Sequence, residues 1–139
     1  MNKDEATILL IDDKEENLLS LKNILIDIDC GILTALSAEE GWNILLENDI
    51  ACLLLDVHMP GMNGFDLAEK IRSDQSLKHI PIIVFVTAVE LGEDNANKGY
   101  SLGAVDYLTK PLNPTMVRTK VDLYCQLYRK EKELKKLKY

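Results

Sequence analysis

Five polar residues stand where apolar runs stop. Asp12 and Asp13 close "TILLI", Asp56 closes "CLLL", Thr87 closes "IPIIVFV", and Lys110, followed by Pro111, comes directly after "AVDYLT". Carboxylates brought together raise one another's pKa unless a cation joins them. Hard oxygen donors with room left for water suit Mg2+. A strand-end carboxylate beside such an ion is equipped for metal-assisted phosphate chemistry. Taken singly, each residue has an ordinary explanation. Paired acids after a strand often open a helix, where they favour its dipole, a strand-ending Asp is commonly a turn residue, and Lys-Pro is a frequent dipeptide. Joint placement at the ends of four runs is what selects the chemical reading.

The elements between those residues have to bring them together. "ATILLID" (6–12), "ILTAL" (32–36), "IACLLLD" (50–56), "IPIIVFVT" (80–87) and "AVDYLT" (104–109) read as strands. "KEENLLSLKNILIDI" (14–28) carries Leu18, Leu21, Leu25 and Ile28 at steps of three and four, the spacing of an amphipathic helix, and Gly31 breaks it. Ser37 and Glu40 predict a capping box for the helix "AEEGWNILLEN" (38–48). "GFDLAEKIR" (64–72) is a third helix, and a weaker one is expected within 92–103. From Asn113 the chain reads as one long helix, with Pro114 near its first turn. Strands alternating with helices imply a parallel sheet covered on both faces. Ligands of such sheets gather at the carboxyl ends of the strands, where strand order reverses. One domain over 5–125 with a helical extension over 126–139 is the expected organisation.

Composition narrows the class. The chain has 139 residues, 47% of them hydrophobic and 28% charged, the profile of a globular domain with its own core. Residues 129–139 hold six bases against two acids, so the net charge of −7 leaves −11 on the rest. An acidic body repels phosphate backbones, which argues against direct nucleic-acid binding. The apolar runs are too short for a bilayer, and no apolar stretch follows a basic start, so neither membrane association nor secretion is expected. Cys30, Cys52 and Cys125 are odd in number and far apart in sequence, which fits a reducing cytoplasm and ordinary core roles.

"DD" at 12–13, "DVHMPGMNG" at 56–64, "TA" at 87–88, "DY" at 106–107 and "KP" at 110–111 together resemble the receiver domain of two-component response regulators. The resemblance covers nearly the whole chain and implies a flavodoxin-like (βα)5 fold, with a five-stranded parallel sheet in the order 2-1-3-4-5. It implies that Asp56 is the phosphoacceptor and that Asp13 and Asp56 ligate Mg2+ with the backbone carbonyl of His58, while Asp12 reaches the metal through water. Lys110 would pair with Asp56 and then with the phosphoryl group, across a cis bond to Pro111. Thr87 would bind a phosphoryl oxygen, and Tyr107 would rotate into the space vacated. The switching surface would be the helix within 92–103, the strand at 104–109 and the last helix. The phosphoryl donor would be a histidine kinase or phosphotransfer protein.

Pro60, Gly61 and Gly64 are expected to shape the turn beside Asp56, with Met59 and Met62 as packing residues. The His58 side chain and Val89 flank the site as residues that tune turnover rather than perform it. Beyond the core, Met116, Leu123, Leu127, Lys130, Leu134 and Leu137 fall on a short heptad seam. That seam predicts a homodimer or a linker to an output domain, against the plain alternative of a solvated tail. Two rivals fit less well. A haloacid-dehalogenase-type phosphatase needs an acid two positions after the nucleophile, where His58 stands, and a flavodoxin needs a Ser/Thr/Gly-rich phosphate loop where this chain has "DDKEEN". A receiver-like scaffold that is never phosphorylated is the remaining alternative.

Overall fold

The strand runs pair as one parallel sheet. β1 (Thr7–Ile11), β2 (Gly31–Ala35), β3 (Cys52–Asp56), β4 (Ile82–Thr87) and β5 (Ala104–Thr109) lie in the order β2-β1-β3-β4-β5. Among the described residues the helices are α1 (Glu15–Leu25), α2 (Ala38–Glu47), α3 (Gly64–Ser73) and α4 (Pro114–Leu137). The structure is a computed structural model that describes residues 5–77, 79–88, 97, 101 and 103–137. Val89 and, isolated positions apart, the helix expected within 92–103 lie outside the described residues.

The period of two along each strand builds two cores. Ile8, Leu10, Leu54, Val84 and Val86 face α1 and α4, where they meet Leu18, Leu21, Leu25, Val117, Val121 and Tyr128. Leu9, Ile11, Leu53, Leu55, Ile83 and Phe85 face the other way, onto Leu45, Phe65, Leu67 and Ile71 of α2 and α3. The register keeps like with like, since Leu9 pairs with Leu53 and Leu53 with Ile83. Central β3 is buried on both faces, which is why "CLLLD" shows no polar alternation.

Helix ends depart from the sequence expectation in two places. α1 stops at Leu25, not Ile28, with Ile26 as its C-cap. Ile28 still packs on the core, through a turn in which its N–H bonds the Leu25 carbonyl. At α2 only half of the expected capping box forms. Ser37 Oγ accepts the Glu40 N–H at 3.1 Å, but the Glu40 carboxylate takes the N–H of Leu36. The complete box caps α3 instead: Asn63 Oδ1 accepts from Asp66 N–H at 2.9 Å, and Asp66 Oδ2 from Asn63 N–H at 3.1 Å. That box anchors the loop running from Asp56 into α3.

Candidate functional site

The sheet brings three acids to one point. Strand order reverses between β1 and β3, and carboxylate oxygens of Asp12, Asp13 and Asp56 lie there within 4.8 Å of one another. Asp12 follows β1 directly, and its N–H extends the ladder to the Ala35 carbonyl at 3.2 Å. Asp56 is the last residue of β3 and Thr87 the last of β4, and both are buried. Lys110 follows β5, its N–H held by the Thr87 carbonyl at 2.8 Å, and its bond to Pro111 is cis.

The three carboxylates are not equivalent. Asp12 is fully engaged by the protein. Its Oδ1 accepts the Lys14 N–H at 2.9 Å, its Oδ2 the Lys110 ammonium at 3.0 Å, and the Asn17 amide reaches both oxygens at 3.2 Å. Asp12 therefore both caps α1, whose N-cap Lys14 supplies no side-chain bond, and holds the ammonium. Lys110, expected beside Asp56, makes its direct ion pair with Asp12. Asp56 is the strained member. Burial first, then the negative charge of Asp12 and to a lesser degree Asp13, push its carboxyl up to about 6, against the pull of Lys110 and the backbone N–H of His58. Asp13 is only half-buried.

The turn after β3 is shaped by close approach. A Cβ at Gly64 would lie 2.4 Å from the Asp56 carbonyl oxygen, and Gly61 has φ +75°. Met59 is buried and Met62 packs on the same core, as expected, while the His58 side chain is exposed. Tyr107 is half-buried on β5, its ring 5.5 Å from that of Phe85, which in turn meets Phe65 edge-on at 4.9 Å. These rings run from the Asp56 turn to β5. Sequence reasoning missed Asn17 and the network around Asp106. Asn17 had a legible signal, because an amide at the third helical position after two acids can turn back onto them. Asp106 accepts from Tyr124 Oη at 2.9 Å and pairs with Lys120 at 2.7 Å, tying β5 to α4.

The family model described as the response regulator receiver domain matches residues 8–122. The chain belongs to that family. This receiver domain is 34% identical to the response regulator PleD of Caulobacter vibrioides over 84% of the chain and 25% of PleD. It is 35% identical to the transcriptional regulatory protein SrrA of Staphylococcus aureus over 82% of the chain and 45% of SrrA. The chain thus spans less than half the length of these curated relatives. Among solved structures, a CheY-like receiver domain from Methanospirillum hungatei superposes with TM-score 0.80 at 27% identity, covering 91% of this chain and 98% of that one. Chemotaxis protein CheY4 of Vibrio cholerae shares the fold, with TM-score 0.77 at 24% identity over 86% of this chain and 98% of that one. In the receiver domain no helix among the described residues is long and apolar enough to cross a membrane.

Proposed function

We propose that this receiver domain accepts a phosphoryl group on Asp56 from a histidine kinase or phosphotransfer protein in a Mg2+-dependent step, and that phosphorylation shifts the surface around β5 and α4. The observation that carries the reading is the Asp12–Asp13–Asp56 cluster, three carboxylates facing the Lys110 ammonium. The residues fit a hard divalent ion, because the donors are all oxygen and Asp56 resists ionisation without added positive charge. In this reading Asp13, Asp56 and the His58 carbonyl would hold the ion directly, and Asp12, already engaged by Lys14, Asn17 and Lys110, would reach it through water. Bound Mg2+ would offset the charge of the phosphoryl oxygens.

The rest is the work of the chain's own groups. An Asp56 oxygen forms the bond to phosphorus as the bond from phosphorus to the donor nitrogen breaks. Lys110 supplies the ammonium that pairs with the transferred group, and the Thr87 hydroxyl donates to one of its oxygens. That contact draws the start of the β4–β5 connection inward and biases Tyr107 toward the space left, a shift between existing states. The domain signals and turns over only its own phosphoryl group, and we place it in the cytoplasm. α4 carries the signal out, through a homodimer seam or into a covalently attached output domain.

Acetyl phosphate labelling tests the reading. Label should enter the native chain with Mg2+, fail to enter in excess chelator, and fail to enter Asp56→Asn. Label that persists in either control removes Asp56 from the role. Absence of label from the native chain with Mg2+ leaves the scaffold that is never phosphorylated.

A further inference from the structure

We propose, resting on the reading of Asp56 as phosphoacceptor, that Asn17 is a positioning residue that frees Lys110 to leave Asp12 for the transferred phosphoryl group. The Asn17 amide nitrogen lies 3.2 Å from each oxygen of the Asp12 carboxylate. An amide nitrogen can only donate, so the contact serves the carboxylate and offers nothing to the free N–H groups that open α1. The amide is also presented from a fixed place. Leu18 and Leu21 of the same helix are buried, and the Asn17 N–H bonds the Lys14 carbonyl at 3.1 Å.

Lys110 has to give up a partner before it can serve a phosphoryl group. Its ammonium pairs with Asp12 Oδ2 at 3.0 Å. Asp12 is 2% exposed, so bulk water cannot take the place of a departing cation. A buried carboxylate oxygen left without a donor costs more than an ordinary exchanged hydrogen bond. That cost holds Lys110 on Asp12 unless another donor reaches Oδ2. The Lys14 N–H cannot supply it, because it is backbone committed to Oδ1 at 2.9 Å. Asn17 can, because its amide already reaches both oxygens.

Lys110 is the partner able to move. Its side chain is 22% exposed on a flexible stem, and with Asn17, Leu21 and Pro111 it lines a cleft of about 260 Å3 between α1 and the turn after β5. The ammonium can therefore leave without repacking either core. With Asn17 in place, Asp12 is satisfied whether Lys110 is present or gone. Without it, Asp12 is satisfied only while Lys110 stays. Loss of the amide thus tightens the resting ion pair and raises the cost of every state in which the ammonium has moved to the phosphoryl group.

Two affinities of the 139-residue chain test this role. Beryllofluoride binding in Mg2+, followed by fluorine NMR, reads the state in which Lys110 has moved, and calorimetric Mg2+ titration alone reads the acid cluster. Asn17→Ala should weaken beryllofluoride binding about tenfold and Mg2+ binding less than about twofold. Asn17→Gln, which keeps the amide donor, should recover most of the loss. Equal losses of both affinities would make Asn17 a structural support for the acids and overturn the proposal. Unchanged beryllofluoride binding in Asn17→Ala, or a Gln variant as weak as the Ala variant, would overturn it too. Native protein that binds no beryllofluoride removes the phosphoacceptor reading and this role with it, whereas native binding with an indifferent Asn17 removes this role alone.

Discussion

At the residue scale, the ionised Asp56 carboxylate works against the fold. Its carboxyl sits at about 6, above the ordinary 3.8. A raised folded-state pKa means the protonated form favours folding, so the cost appears as pH climbs through that window and is complete above it. The cost at pH 7.5 is ~3 kcal/mol, on the order of one or two buried leucines. In chelator, Asp56→Asn should therefore gain ~3 kcal/mol in urea unfolding at pH 7.5 and only about 1 kcal/mol at pH 4.5. An equal gain at both pH values would mean that charge burial is not the cause. Thr87 and Lys110 should separate differently. Thr87→Ala should accept phosphate yet show weaker beryllofluoride-induced amide shifts around Tyr107, whereas Lys110→Ala should lose both labelling and shifts. Full-sized shifts in the Thr87 variant would contradict its role as the coupling hydroxyl.

At the scale of elements, the β3–α3 loop depends on two neighbouring residues for different reasons. Asn63 caps α3 through the reciprocal bonds with Asp66. Losing that cap costs about 1 kcal/mol and leaves the turn in place. Gly64 permits contact with backbone: an added Cβ would meet the Asp56 carbonyl oxygen at 2.4 Å and the Val57 Cα at 3.0 Å. Backbone cannot swing aside as a side chain can, so Gly64→Ala should cost about 1–3 kcal/mol and displace Asp56 as well. Urea midpoints together with calorimetric Mg2+ titration distinguish the two. Asn63→Ala and Gly64→Ala should both lose stability, and only Gly64→Ala should also weaken Mg2+ binding. Unchanged Mg2+ affinity in Gly64→Ala would show that the loop yields elsewhere.

Across the whole molecule, α4 buries one face in the domain and leaves another exposed. Val117, Val121, Tyr124, Cys125 and Tyr128 are buried, and Lys132 still reaches Asp49 at 3.5 Å and the Tyr128 ring at 4.9 Å. Met116, Leu123, Leu127, Leu134 and Leu137 line an outer stripe, each at least half exposed. A seam of so few heptads is marginal alone, but residues through Lys132 are already held by the domain, which lowers the entropic cost of pairing. The chain should self-associate, more strongly with beryllofluoride and Mg2+, and Leu127→Asp with Leu134→Asp should abolish it. Sedimentation that finds an unchanged monomer in both states would leave the stripe as a connection to an output domain.

Much of this was legible locally. Strand and helix identity follow from periods of two and three to four, and the strand-end acids stand out because charge ends an apolar run. The resemblance rested on the same residues, with "DVHMPGMNG" and Lys110-Pro111 at its centre. Side-chain partnerships across the fold were not legible. Which carboxylate holds Lys110 depends on the tilt of strand ends 98 residues apart, and Asp12 wins because Lys14 and Asn17 have already fixed it in place. Glu40 bonds Leu36 in place of Ser37 because a flexible carboxylate takes whichever N–H the chain's entry angle presents. Local propensity is written in neighbouring residues, but these contacts arise only when packing of the two cores sets how sheet and helices lie against each other.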